Sequence, residues 1–138
     1  MPPFDFGTQE QRMLWASALL GIVHLVLYVA FSGVAGRTGW AVGARDASGP
    51  AMGTVGARVD RAWRNYLETF PIFAALVLLA TATGKHTAMI GLGSQLFFYG
   101  RVIYLPLYAF GIPVVRTLAW SIATAGVVII LLGIWPGI

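Results

Sequence analysis

From Met13 to Gly36 the chain contains no Asp, Glu, Lys or Arg. Nothing else in the sequence restricts the fold as much. At about 1.5 Å per residue, one helix of this length crosses a hydrocarbon core of about 30 Å. A cleaved signal peptide fits poorly, because Glu10 stands near Arg12 in the preceding flank. The run also outlasts the apolar region of such a peptide, which is about 7–15 residues. A retained membrane helix over 11–36 is predicted.

A second uncharged run, Thr69 to Gly84, is too short to span alone. To do so it must begin near Val59 and carry Arg61, Arg64, Asn65 and Glu68 with it, which predicts a helix over 58–84. A third helix is predicted over 87–109, interrupted by Arg101 and ended by Phe110-Gly111-Ile112-Pro113. A fourth is predicted over 113–135, carrying Arg116 early and stopping at Trp135-Pro136-Gly137. Composition agrees: 58% of residues are hydrophobic and 10% charged, with a mean hydropathy of +0.78. A soluble domain carries about a quarter charged residues, so there is too little charge here to cover a water-facing surface. The predicted fold is all-α, a four-transmembrane-helix bundle forming a single domain over 1–138. Residues 37–57 are rich in glycine and contain Pro50, which predicts a mobile loop.

The net charge of +4 comes from nine basic against five acidic residues. The basic residues sit in the breaks between apolar runs, so membrane topology explains them and a nucleic-acid partner is not implied. Arg37, Arg45 and Arg58 lie in or beside the first loop, with Arg61 and Arg64 close by, whereas the second loop offers Lys85. The positive-inside rule then places the first and third loops in the cytoplasm. Both termini of this multi-pass integral membrane protein are accordingly expected on the non-cytoplasmic side. The chain has no cysteine, which removes disulfides, thiolate metal sites and a protein thiol nucleophile.

Ionisable side chains inside membrane helices cost several kcal/mol unless paired or hydrated, so each asks for a reason. Arg58, Arg61, Asn65 and Glu68 share one face of the second predicted helix, and Arg64 adjoins it. Arg101, Tyr104 and Tyr108 form a similar stripe on the third, and Arg116 opens the fourth. The antiparallel order brings all of these to one half of the membrane. Glu68 and Arg101 have matched depths and are expected to pair. Two helix N-termini add partial positive charge. Such a pocket suits an anionic ligand that also carries an ammonium group. Snorkelling or structural ion pairing explains Arg37, Arg45 and Arg58. His24 stands alone in mid-span without a second ligand, and no metal site is expected. His86 reads as interfacial, and Phe97-Phe98-Tyr99 as packing or lipid-facing area. A small exporter would need an essential membrane carboxylate. Glu68 is the candidate, but its arginine-rich surroundings keep it ionised.

The segment Arg61-Ala62-Trp63-Arg64-Asn65-Tyr66-Leu67-Glu68-Thr69-Phe70-Pro71 resembles the R-A-x-x-N-x-x-E-x-x-P signature of the MAPEG family, membrane-associated proteins in eicosanoid and glutathione metabolism. The resemblance continues through Arg101, Tyr104, Tyr108, Pro113 and Arg116-Thr117-Leu118-Ala119, and is to the bacterial glutathione-transferase-like members. It implies a homotrimer in a bacterial inner membrane, with glutathione as cosubstrate bound between subunits. By that resemblance Arg61, Arg64, Asn65, Glu68, Arg101, Tyr104 and Tyr108 hold glutathione, with Arg37 reaching in from a neighbouring subunit. Arg116 stabilises the thiolate, assisted by Tyr108 or Thr117. The implied activity is a glutathione-dependent transferase or peroxidase acting on small lipophilic electrophiles. The family also includes non-catalytic members, so a lipid- or partner-binding membrane protein is the alternative.

Overall fold

The computed structural model describes residues 7–137. Within them the chain forms five helices: α1 (Gln9–Val34), α2 (Thr38–Val42), α3 (Gly53–Ala82), α4 (Ala88–Phe110) and α5 (Pro113–Ile134). At the start of α1 the Thr8 amide donates to the Gln11 side-chain oxygen at 3.2 Å, and Thr87 caps α4 by accepting from the Ile90 amide. Both arrangements satisfy donors that a helix start leaves unpaired.

The expectation of four membrane-crossing helices is corrected to three. Among the described residues, α1, α3 and α5 are long and apolar enough to cross a membrane, and α4 is not one of them. Its 23 residues supply the length. Gln95, Tyr99, Arg101, Tyr104, Pro106 and Tyr108 dilute its apolar character. Instead α4 turns much of its surface inward, burying Arg101, Tyr104 and Phe97 against the other helices.

Residues 37–57 also differ from the loop expected of them. Arg37 precedes the short helix α2, and α3 starts at Gly53, so the glycine-rich stretch between them is brief. Trp40 organises this region. Its indole N–H donates to the Ala47 carbonyl at 2.5 Å, and the Arg37 guanidinium lies 4.6 Å from its ring centre. A large aromatic face gathering cations supplies the order that the local composition argues against.

The helices run up and down, giving the bundle two chemically distinct ends. At one, Arg58 reaches the Ala109 carbonyl at the close of α4. At the other, Lys85 donates to the carbonyls of Ile134 and Trp135 at 3.0 and 3.1 Å, capping the end of α5. The start of α1 is at this second end too, where Glu10 meets His86.

Small residues decide how closely α4 and α5 approach. A Cβ added at Gly93 would lie 2.6 Å from the Gly126 carbonyl oxygen, and one at Gly100 would lie 2.9 Å from that of Ala119. Elsewhere the interior is aromatic. Phe73 of α3 stacks on Phe97 of α4 with ring centres 4.0 Å apart, and His24 of α1 stacks on Tyr66 of α3 at 4.5 Å. The His24 Nδ1 lies 2.9 Å from the Leu20 carbonyl oxygen of its own helix.

Candidate functional site

At the arginine-rich end, α3, α4 and α5 converge on Tyr108. Tyr108 lies near the end of α4, and Gly111 lets the chain reverse immediately after it. Gly111 is left-handed, with a φ of 74°, and its amide donates to the Tyr108 carbonyl. A side chain here would also strike Arg58, whose Cζ lies 2.6 Å from the position of a Cβ. Glycine meets both demands. Pro113 then starts α5, placing Arg116 in its first turn.

The reversal sets Arg116 against Tyr108, with the guanidinium carbon 4.5 Å from the ring centre. From α3, the Arg61 Nε donates to the Tyr108 hydroxyl at 3.2 Å, and its guanidinium carbon lies 6.0 Å from the same ring. Tyr104, one turn earlier on α4, packs on Tyr108 with centres 5.4 Å apart. Arg101 lies beyond it, 4.6 Å from the Tyr104 ring and 5.3 Å from the Tyr66 ring. Its Nη1 donates to the Asn65 side-chain oxygen at 2.8 Å.

The cluster is graded by depth. Arg61 is exposed, Tyr108 and Arg116 are half-buried, and Tyr104 and Arg101 are buried. Three guanidiniums thus surround two phenol rings, with negative π-faces and hydroxyls as their in-chain partners. No carboxylate forms an ion pair with any of the three among the described residues. The accessible end of the cluster can therefore accept an anion, and the Tyr108 hydroxyl, which already accepts from Arg61, keeps its own proton to donate.

Six of the residues singled out from the sequence come together here: Arg61, Asn65, Arg101, Tyr104, Tyr108 and Arg116. Others do not. Glu68 is exposed, and the expected Glu68–Arg101 pair is absent, Asn65 taking its place. The reason is helical phase. Ala62, Tyr66, Phe73 and Val77 mark the buried stripe of α3; Asn65 flanks it, and Glu68 points away. Arg64 is bound to Asp60, one turn earlier, at 3.0 Å. Thr117 donates its hydroxyl to the Pro113 carbonyl at 3.0 Å. Arg37 stays with Trp40, its buried Nε unpartnered.

Several contributors were not legible beforehand. Tyr66 donates its hydroxyl to the Ser17 carbonyl, holding α1 on α3 while its ring supports Arg101. Glu10 and His86 form an ion pair of 2.6 Å when the histidine is protonated, with Glu10 almost wholly buried. Their positions at the starts of α1 and beside α4 are the one signal that could have suggested it. Among the described residues no group of three or more His, Asp or Glu could hold a metal ion.

No curated protein and no solved structure matches the chain in the comparisons made. The family model for MAPEG matches residues 13–135, a span that takes in the Tyr108 cluster and every helix contributing to it. The chain belongs to the MAPEG family.

Proposed function

We propose that the Tyr108 cluster binds glutathione and stabilises its thiolate, making the protein a glutathione-dependent transferase or peroxidase for lipophilic electrophiles drawn from the bilayer. The observation that carries this reading is the Tyr108 ring standing beside both Arg61 and Arg116, with Arg61 also bonded to the hydroxyl. A free thiol has a pKa of about 8.5 and is mostly protonated near neutrality; adjacent guanidiniums favour the thiolate. Arg116 supplies that charge at the start of α5, where the helix terminus adds to it. Tyr108 orients the sulfur by hydrogen bonding. Arg61, Arg64, Asn65 and Tyr104 meet the ligand's carboxylates and amides, Arg101 supports them from below, and Glu68 takes its ammonium. Thr117 serves only where its hydroxyl leaves Pro113.

The outward face of α3 supports assembly into a homotrimer. Arg61, Arg64 and Glu68 are exposed on a helix apolar enough to cross a membrane. Lipid is a poor neighbour for such groups, whereas a second subunit across a bound glutathione satisfies them. Arg37 with its unpartnered Nε is then available to a neighbour's site. The arginine-rich end faces the cytoplasm in this reading, following the positive-inside rule, in a membrane such as the bacterial inner membrane.

A groove of about 360 Å³ between α4 and α5, lined by Leu96, Tyr99, Ile103 and Leu118, favours a second reading as well. It would lodge a hydrophobic substrate, or equally a lipid or partner segment in a non-catalytic protein. Calorimetric titration of the detergent-purified protein with glutathione separates the two. Saturable binding that weakens in Arg61→Leu supports the enzyme reading, and no heat of binding at millimolar glutathione removes it.

A further inference from the structure

The turn from α4 into α5 has one carbonyl that its own amides do not satisfy. At the reversal the Gly111 amide donates to the Tyr108 carbonyl at 3.1 Å, and the Ile112 amide to that of Leu107 at 3.0 Å. The next residue in line to donate is Pro113, which has no N–H. The donor for the Ala109 carbonyl comes from another helix: it is the Arg58 Nη1 of α3, at 3.4 Å. The same guanidinium covers the turn, its Cζ, Nη1 and Nη2 lying 2.6, 2.6 and 2.7 Å from where a Cβ on Gly111 would stand. Arg58 is half-buried, and among the described residues no carboxylate pairs with it. The partial negative charge at the carboxyl end of a helix favours a cation there.

We infer that Arg58 is a positioning residue for the thiolate site, a role that rests on Tyr108 being the seat of the glutathione sulfur. Its contacts join the three helices that build the cluster. Tyr108 stands in the last turn of α4 and Arg116 in the first turn of α5, on either side of the Gly111 reversal. Arg61 follows Arg58 by about one turn on the same face of α3. One side chain thus ties the segment that presents Arg61 to the turn that presents both Tyr108 and Arg116. A snorkelling arginine would reach for water or lipid phosphate, whereas this one reaches for a helix-end carbonyl of its own chain. Without Arg58 the Ala109 carbonyl loses its donor, the end of α4 loosens, and Tyr108 and Arg116 separate. Bound glutathione then keeps the contacts to its carboxylates and ammonium while its sulfur loses the nearby charge.

The test uses the full chain in detergent, reading the ultraviolet thiolate band of bound glutathione against pH and the turnover of a hydrophobic electrophile. Arg58→Leu should raise the thiolate midpoint by about one pH unit, cutting the thiolate fraction at pH 7 by up to about tenfold. The kcat at pH 7 should fall with it and recover at alkaline pH, while the glutathione KM stays within about threefold of wild type. Arg58→Lys, which keeps a donor for the Ala109 carbonyl, should restore part of the shift. Arg45→Leu removes an equal charge from the loop at the same end and should leave the titration unchanged. Should Arg58→Leu fail to fold, Gly111→Ala displaces the guanidinium instead and should give the same alkaline shift. In 3-fluorotyrosine-labelled protein without glutathione, the Tyr108 signal, identified by its absence from Tyr108→Phe, should move in Arg58→Leu and stay in place in Arg45→Leu. A wild-type protein without a thiolate band would sink the glutathione reading, and the fluorine signal would still decide whether Arg58 places Tyr108. Lower thermal stability with a wild-type titration and an unmoved fluorine signal would overturn the proposal, as would an equal shift in Arg45→Leu.

Discussion

Arg116→Leu offers the most informative single perturbation. The guanidinium lies 4.5 Å from the Tyr108 ring, half-buried, in the first turn of α5. A thiolate resting on Tyr108 would be in contact range of it. Two unit charges about 4 Å apart interact by about 4 kcal/mol at an effective dielectric constant near 20. One pKa unit corresponds to about 1.4 kcal/mol, so full coupling would lower a bound thiol by roughly three units. Screening at a half-buried position reduces this to roughly two. A thiol of pKa about 8.5 would then titrate near 6.5 in the complex. The sign follows directly: thiolate is present above the lowered pKa and is lost as pH falls through it. Removing Arg116 moves the titration back up, cutting the thiolate fraction at pH 7 by roughly 20- to 30-fold. The assay is the ultraviolet thiolate band of the glutathione complex across pH 5–10, alongside conjugation of a hydrophobic electrophile. Arg116→Leu should bind glutathione, lose the band at pH 7, and recover both band and turnover near pH 9. A variant that keeps the wild-type thiolate titration, or stays inactive at pH 9 despite a full thiolate band, would refute thiolate stabilisation as the role of Arg116.

Asn65→Leu removes the side-chain acceptor of Arg101 and leaves a third buried nitrogen unpaired; it should lower stability by about 1–3 kcal/mol, read as an earlier thermal transition in detergent. The double variant Asn65→Leu/Arg101→Met should recover part of that loss, and strict additivity of the two single effects would show that the contact contributes nothing. Gly93→Leu forces α4 away from α5, since even a Cβ there meets the Gly126 carbonyl at 2.6 Å. The cost should be about 1–3 kcal/mol or more, against little change for Gly33→Leu, where nothing lies within 4 Å.

The helical class and membrane residence were determined by the sequence itself, because both rest on local quantities. An uncharged run such as Met13–Gly36 can hide its backbone from lipid only as a helix, whatever it packs against. The ordered set from Arg61 to Arg116 likewise carried the family resemblance, since a motif is matched by residue identity and order and survives any uncertainty in packing. What local patterning could not decide was direction around each helix axis. Glu68 and Asn65 are equally plausible partners for Arg101 when only depth is counted. The buried stripe through Tyr66 and Phe73 rotates α3 so that Asn65 faces inward and Glu68 outward. In the same way, the length of α4 suggested a crossing helix, while its inward-turned Arg101 and tyrosines show that its polar groups are placed by neighbours rather than by lipid. Trp40 ordering Arg37, and Glu10 meeting His86, join residues from separate turns or elements. Such contacts arise only once close approaches like Gly93 on Gly126 and the reversal at Gly111 have set the helices against one another. Tertiary packing therefore decided which of the legible polar residues form the Tyr108 cluster, and which of them, Arg101 above all, keep donors to spare.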